Sequence, residues 1–236
     1  MQAFRQRQPR AGVKKLYRYL GQELALLPIR YGRDRFYQVL RRHGLLAAKR
    51  RRKQITTHPG RCVFANLVGR EPAIGPNTVV HADITYLNLR QGFAYLSLVQ
   101  DRFSRKILGY ALTENLSAVG PLTALKQAVC VIGKGKCQGL IHHSDQGVQY
   151  GCWQYVNYLQ DRGIQSSMSA KGNPYDNAYA ERVIGILKQE LGLNSTFENL
   201  QQAQNVTKKA IKIYNDERIH MSINYMTPNQ LYQRGA

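Results

Sequence analysis

The sequence is short of acidic residues. Its 236 residues contain 14 Asp and Glu against 34 Lys and Arg, which gives a formal net charge of +20 at pH 7. A cationic surplus of this size is typical of proteins that bind a polyanion such as nucleic acid. The shortage is greatest in residues 1–70, where 18 basic residues accompany only Glu23 and Asp34, so this segment carries +16 and residues 71–236 carry +4. We therefore expect a basic module attached to a nearly balanced one.

Long hydrophobic runs are also missing. The longest apolar stretches, such as residues 93–99, are far too short to span a bilayer, and no apolar segment follows the Arg-rich N-terminus as it would in a secretory signal. The four cysteines show no CxxC spacing, which favours reduced thiols over a zinc site or disulfides. These cysteines are Cys62, Cys130, Cys137 and Cys152. A hydrophobic fraction of 43% is still enough to bury a core, so the sequence predicts a globular protein without a membrane partner.

Residues 1–70 are predicted to form a small basic helical module and a linker. Apolar residues follow helical spacing over 13–24 and again over 36–40, with a turn around 28–32 between them. This arrangement suits a helix-turn-helix variant, but many helical pairs share it. A basic run follows, made of Lys49, Arg50, Arg51, Arg52 and Lys53. A stretch rich in Pro and Gly then places the boundary near residue 75, which divides the chain into 1–70 and 71–236.

Residues 71–236 are predicted to form a mixed α/β domain. Three strand-like stretches, 78–87, 93–103 and 106–113, favour an antiparallel meander. The pattern then predicts a helix over 121–131, a strand over 140–144, a helix over 152–161, a strand over 164–169, and helices over 177–191 and 199–214.

Three acidic residues occupy positions that suit catalysis. Asp83 lies in mid-strand, where Asp is disfavoured, Asp145 ends the fourth predicted strand, and Glu181 lies in the first turns of a helix. Each also has an ordinary explanation, as a partnered core residue, a turn former and a solvated helical side chain. Their spacing is more informative, since 61 residues separate the two aspartates and 35 separate Asp145 from Glu181.

Motifs around these acids extend the pattern. The matching segments are Asp83-Ile84-Thr85-Tyr86, Asp101-Arg102-Phe103-Ser104-Arg105, His142-His143-Ser144-Asp145-Gln146-Gly147, Ser167-Met168-Ser169, Gly172-Asn173-Pro174-Tyr175-Asp176-Asn177, Glu181-Arg182, Leu187-Lys188, Tyr214-Asn215, Arg218, His220 and Thr227-Pro228. With this set the chain resembles, over residues 10–232, the DD(35)E catalytic domains of the retroviral integrase superfamily, and within it the OrfB-type transposases of bacterial insertion sequences. Ala170 and Ile219 depart from the usual pattern, and the zinc-binding HHCC module of retroviral integrases is absent.

The resemblance implies an RNase H-like α/β catalytic core and a two-metal polynucleotidyl transferase. Such an enzyme cleaves the ends of an insertion sequence and transfers the strands to target DNA. The triad would hold two Mg²⁺, for which Mn²⁺ can substitute, with Asp83 bridging both ions and Asp145 and Glu181 each holding one; carboxylate oxygens are what such hard cations prefer. It also implies an upstream OrfA partner or fusion, a homo-oligomer on DNA, and a place at the bacterial nucleoid in the cytoplasm. The chain is then expected to be the downstream product alone or a truncated form.

Further residues are candidates for DNA contact. Lys188 lies two turns from Glu181 on the same side of the predicted helix, with Gly185 between them, although an ordinary solvated lysine has the same pattern. The other predicted DNA-binding residues are Arg182, Arg41, Arg42 and the run Lys49, Arg50, Arg51, Arg52 and Lys53.

Two pairs of residues near the acids keep alternative interpretations. His142 and His143 are interpreted as strand residues that shape the site rather than as ligands. Tyr175 and Tyr179 suit either base stacking or surface packing. Two rival functions also remain, an RNase H-like nuclease or junction resolvase that cuts without joining, and a non-catalytic DNA-binding remnant of a transposon.

Overall fold

A computed structural model describes residues 4, 8, 11–27, 32–46, 63–69, 73–170 and 178–235. The basic run from Lys49 to Lys53 and the loop 171–177, with Tyr175, lie outside the described residues. Predictions that fall on these segments therefore stay predictions.

One mixed sheet forms the centre of the described chain. Its strands are β1 Val79–Leu89, β2 Phe93–Asp101, β3 Ile107–Thr113, β4 Ile141–Ser144, β5 Gln165–Met168 and the short β6 Thr196–Phe197. Their order is β3-β2-β1-β4-β5, and β6 pairs with the far end of β1. The pairings β1–β2 and β2–β3 are antiparallel, which confirms the predicted meander, whereas β4 and β5 run parallel to β1.

Helices precede the sheet and cover both of its faces. They are α1 Val13–Tyr19, α2 Gly21–Ala25, α3 Arg33–Arg42, α4 Val119–Ile132, α5 Trp153–Gln160, α6 Ala178–Glu190, α7 Leu200–Asp216 and α8 Pro228–Gly235. The helix predicted over 13–24 is wrong in one respect, because it is two short helices separated at Leu20. Gly21 follows that break, and glycine disfavours a helix interior.

Two hydrophobic clusters fill the space between the sheet and its helices. One contains Val80 and Ala82 of β1 together with residues of α4 and α5, including Leu125 and Tyr155. The other lies on the opposite face, where Leu87 of β1 meets residues of α6 and α7. Alternate residues of β1 face opposite sides of the sheet. Helices therefore cover an apolar layer on each face, and the fold is the predicted mixed α/β core.

The N-terminal helices contact the C-terminal part of this core. Leu16, Phe36 and Leu40 form a small cluster of their own. Lys15 Nζ lies 3.1 Å from Glu190 Oε2 at the end of α6, and the backbone N–H of Ile219 donates to the Tyr19 hydroxyl at 2.8 Å. Within the described ranges, every helix falls short of the length and apolar content needed to cross a membrane.

Candidate active site

The parallel pairing of β1 and β4 brings two of the predicted acids to one place. His81 is the register partner of His143 and is the last β1 residue to pair with β4. Asp83 follows His81 by two residues in β1, on the same face of the strand, and Asp145 follows His143 by two residues, directly after the end of β4. Both acids lie close enough to the buried Tyr150 to affect its pKa. The pKa of its hydroxyl is raised well above 10, first by burial, then by Tyr155, and then by the charges of Asp83 and Asp145.

Asp83 lies at an interruption in the pairing of β1. On this side of the strand, β4 pairs with residues 79–81 and β6 pairs with residues 88 and 89. Among the described residues, no strand pairs with residues 82–87 on that side. The Asp83 side chain is half-buried, and its Oδ1 accepts the backbone N–H of Ile84 at 2.8 Å. This bond orients a carboxylate in the segment of β1 that has no described partner strand on one side.

Asp145 is fixed by the residues of its own motif. Its Oδ1 accepts the backbone N–H of Gly147 at 3.0 Å, and its carbonyl accepts the Ser144 hydroxyl at 2.9 Å. Gln146 Nε2 donates to the Ser169 carbonyl at 3.0 Å, which ties the loop to the end of β5. A Cβ on Gly147 would lie 3.0 Å from Asp145 Oδ1, so glycine allows this close approach. Asp145 is therefore both a turn former and a positioned carboxylate.

Glu181 lies in the first turn of α6 and is exposed. The predicted apolar face of this helix is buried, with Ala180, Val183 and Leu187 all at most 1% exposed. The described residues contain no group of three or more His, Cys, Asp or Glu close enough to hold a metal ion. The structure thus brings Asp83 and Asp145 together, and the participation of Glu181 stays a prediction.

A layer of rings links the three elements that carry these acids. The ring centroid of His81 lies 5.1 Å from that of His143, and it lies 5.1 Å from Tyr179 in a stacked arrangement. Each of the three rings precedes one predicted catalytic acid by two residues. This contact is not predicted from the sequence, although His81 stands two residues before Asp83 in the strand. Tyr179, for which base stacking and surface packing were both open, is half-buried and packs against His81.

The two adjacent histidines of β4 are both buried side chains with hydrogen-bonded rings. His143 Nδ1 lies 2.9 Å from Ser167 Oγ, and Nε2 lies 3.2 Å from Ser169 Oγ. On the other face, the Tyr155 hydroxyl lies 2.8 Å from His142 Nε2. The contacts of His143 agree with the interpretation that it shapes the site, whereas His142 faces the core on the other side of the sheet.

The C-terminal motif residues stabilise the fold around α6. Both amide atoms of Asn215 bond to the backbone of Ile107 at 2.9 Å, which joins α7 to β3. Arg218 is 1% exposed and forms a two-pronged ion pair with Glu190, with distances of 2.9 and 3.0 Å. Burial lowers the pKa of Arg218 to about 9, and burial and then the nearby Arg218 lower the pKa of His220 to about 2.

The candidate DNA contacts lie in different settings. Lys188 Nζ lies 4.3 Å from the centre of the Tyr86 ring, beside the open segment of β1. Arg182 is exposed on α6, and its positive charge contributes to lowering the pKa of His220 and acts to lower that of Tyr214 against the larger, raising effect of burial. Arg41 and Arg42 are exposed in the last turn of α3, away from its apolar face.

The donor atoms near Asp83 and Asp145 suit magnesium. Mg²⁺ prefers oxygen ligands and often takes only one or two carboxylates from the protein. Asp83 presents its carboxylate from β1 and Asp145 from the loop directly after β4, and each carboxylate accepts a backbone N–H. Since a DNA substrate would add phosphate oxygens, this donor set fits a magnesium site.

Comparison with solved structures shows the same fold. The catalytic core domain of HTLV-2 integrase in complex with magnesium superposes with a TM-score of 0.54 and 18% identity over 67% of this chain and 98% of that one. A chain of the simian T-cell lymphotropic virus intasome in complex with PP2A regulatory subunit B56 gamma superposes with a TM-score of 0.56 and 17% identity, over 94% of this chain and 74% of that one. The fold is therefore that of an RNase H-like integrase catalytic core.

Sequence comparison supplies the family. Profiles described as integrase core domain match residues 74–174 and 162–228. The transposase for insertion sequence element IS904 of Lactococcus lactis subsp. lactis is 40% identical over 66% of this chain, which spans 61% of that protein. The 31 kDa protein of insertion element IS600 of Shigella sonnei is 34% identical over 89% of this chain and 78% of its own length. The putative IS986/IS6110 transposase of Mycobacterium tuberculosis is 30% identical over 93% of this chain and 80% of its own length.

The chain therefore belongs to the insertion-sequence transposases with an integrase core domain. It is a DNA transposase of the DDE polynucleotidyl transferase class.

Proposed function

We propose that this transposase cleaves the ends of an insertion sequence and joins them to target DNA with Asp83, Asp145 and Glu181. The observation that carries the proposal is the placement of Asp83 and Asp145, each two residues beyond the last register pair of the parallel strands β1 and β4, where β1 has no further described partner strand on that side until β6. Glu181 is included because α6 begins over the same face, where Tyr179 stacks on His81. The 35-residue spacing from Asp145 agrees with this role.

The three carboxylates would hold Mg²⁺, or Mn²⁺ in its place. When bound, two such ions activate the attacking oxygen and stabilise the leaving oxygen of an in-line displacement. The protein's own part is positioning. The hydrogen bonds from Ile84 and Gly147 fix the two aspartates, and the ring layer keeps β1, β4 and α6 in register.

The strongly basic residues 1–70 would supply most of the DNA affinity, through Arg41, Arg42 and the run from Lys49 to Lys53, whereas Lys188 and Arg182 would contact DNA near the acids. The working assembly would be a homo-oligomer on DNA. An upstream OrfA portion would add recognition of the element ends. With this activity the protein would work at the nucleoid in the bacterial cytoplasm.

The decisive experiment replaces each acid singly by its amide, as Asp83→Asn, Asp145→Asn and Glu181→Gln. Each variant should lose cleavage and joining of an end-containing DNA with Mg²⁺ or Mn²⁺, and should keep or increase its DNA affinity, because a carboxylate without metal repels the phosphate backbone. Asp161→Asn, at an exposed acid after α5, is the matched control and should retain activity. Substantial activity in one of the three variants would remove that residue from the site.

The products separate the proposed function from its rivals. A transposase yields both nicked and joined DNA. Nicked DNA alone would indicate a nuclease or resolvase, and binding without either product would indicate a non-catalytic remnant.

A further inference from the structure

The turn between β2 and β3 is organised by a buried acid. Asp101 Oδ2 accepts the backbone N–H of Ser104 at 2.7 Å and its hydroxyl at 2.6 Å, and Oδ1 accepts the N–H of Asn77 at 2.9 Å. The carboxylate of Asp101 is therefore committed to three hydrogen bonds. The two arginines of the same motif, Arg102 and Arg105, are not needed to hold this acid in place.

Both arginines instead lie over one aromatic ring. The Cζ atoms of Arg105 and Arg102 are 4.1 and 4.9 Å from the centre of the Tyr179 ring. Two guanidinium groups so close together repel each other. Burial lowers the pKa of Arg105 first, and the charge of Arg102 lowers it further, against the opposing influence of Tyr179.

These three side chains line a cavity of about 290 Å³, here named the Arg102–Arg105 pocket, whose other wall includes Ser222 and Asn224. Arg105 Nη1 is buried, and among the described residues no acceptor forms a hydrogen bond with it. A buried donor without an acceptor is costly and therefore rare in native proteins. The pocket thus presents positive charge, and the unused donor Arg105 Nη1 is buried next to it.

Left-handed backbone conformations of residues other than glycine are concentrated around this pocket. Within the described ranges, four residues other than glycine have φ between +54° and +69°, namely Asn77, Arg105, Asn224 and Tyr225. Arg105 and Asn224 line the pocket, Tyr225 is next to Asn224, and Asn77 is bonded to Asp101. Such conformations persist where the surrounding structure imposes them, and they often mark binding or active sites.

We infer that the Arg102–Arg105 pocket binds a backbone phosphate of the DNA substrate. Guanidinium groups bind phosphate oxygens through paired, charge-assisted hydrogen bonds, and a phosphate in this pocket would offset the repulsion between the two arginines. The inference rests on the proposed function, because it takes DNA as the ligand. Tyr179 forms a wall of the pocket and lies two residues before Glu181, so a strand held here would continue towards the predicted acids.

The test is DNA binding by the full chain without metal, comparing wild type with Arg105→Asn. Asparagine tolerates the positive φ, so this change removes the guanidinium with little backbone penalty. We expect about 10-fold weaker binding, and a slope of log K against log salt that is smaller by about 0.9, the value for one bound duplex phosphate. Arg105→Lys, which keeps the charge, should weaken binding less. Arg90→Gln changes an exposed arginine at the opposite end of β2 and should bind like wild type.

Two further arms make the outcome decisive. Neutral methylphosphonate linkages, placed singly along the DNA, should weaken wild-type binding at one or two positions and leave Arg105→Asn unchanged there. Arg105→Gly, which suits the turn best, should behave like Arg105→Asn, showing that strain relief is not the cause. If no linkage shows this coupling, the inference is overturned, even where inorganic phosphate alone raises the Tm of the wild-type protein. Because binding is measured without metal, this result is independent of whether the acid variants lose cleavage.

Discussion

His142 and His143 are neighbours in β4 and face opposite sides of the sheet. His143 faces the predicted acids and contacts Ser167 and Ser169, whereas His142 lies in the core beside Tyr155. Burial, and then the neighbouring His143, lower the pKa of His142 from its usual 6.5 to about 3. A buried neutral imidazole is therefore part of the native core.

This imidazole should make folding stability depend on pH. The folded pKa lies below the unfolded value, so the stabilisation is complete above pH 6.5 and is lost as the pH falls from 6.5 towards 3. Between pH 7 and pH 5 the loss should be about 2 kcal/mol. Urea unfolding of wild type and His142→Gln at both pH values measures it, because the difference between the proteins should shrink by that amount. Parallel pH profiles would contradict the prediction.

At the scale of single residues, the sequence located the two aspartates but not their surroundings. An Asp in mid-strand and an Asp before Gln-Gly are visible in the sequence, and parallel strands bring such positions together. The stacking of Tyr179 on His81 depends on how α6 crosses the sheet, which no local pattern encodes. The same is true of the two arginines over Tyr179.

Among the elements, α4 crosses β3 unusually closely at Gly109. A Cβ at this position would lie 2.0 Å from the Ala124 carbonyl oxygen and 2.8 Å from the Ala128 nitrogen, both in the backbone of α4. Neither atom can move without the helix. The close approach therefore fixes the depth at which α4 covers the meander.

Gly109→Ala should lower the free energy of unfolding by about 3 kcal/mol, the upper part of the usual range for overpacking. Gly135→Ala is the matched control, since a Cβ there meets nothing within 4 Å, and it should change stability by less than about 0.5 kcal/mol. Urea unfolding with an unchanged m-value is the measurement. Equal stabilities for the two variants would show that α4 can shift freely on the sheet.

Elements with a clear period were predicted to within about two residues, and those without one were missed. β6 has only two residues, Thr196 and Phe197, which is too few for an alternation to show. α8 begins at Pro228, a residue favoured in the first turn of a helix, and Thr227 Oγ accepts the N–H of Gln230 there. That combination was a usable signal in the Thr-Pro motif.

The whole molecule combines uneven charge with a docked N-terminal module. Removing residues 1–70 takes away +16 of the +20 net charge, so the remaining chain should lose most of its DNA affinity. The slope of log K against log salt should fall by about 0.9 for each duplex phosphate that the shortened chain no longer binds. An unchanged slope would show that the main DNA-binding surface lies in residues 71–236. Far-UV circular dichroism of the shortened chain should retain the α/β signal, because the buried residues of both clusters that cover the sheet begin at Val80, and of the described hydrophobic residues that pack against them only the partly buried Phe64 is removed.

The C-terminal helix α8 returns to the beginning of the sheet, where the Tyr232 hydroxyl donates to Asn77 Oδ1 at 2.9 Å and Tyr232 joins the cluster under β1. The meander β1–β2–β3 depends on local contacts, and such contacts form early, whereas β4 and α8 must close much longer loops. During synthesis on the ribosome, therefore, β1, which carries Asp83, can pair with β2 long before α8 is made and packs near the start of β1. Completion of the core waits for the last residues of the described chain, so a nascent chain would acquire an assembled site only after translation has passed residue 232.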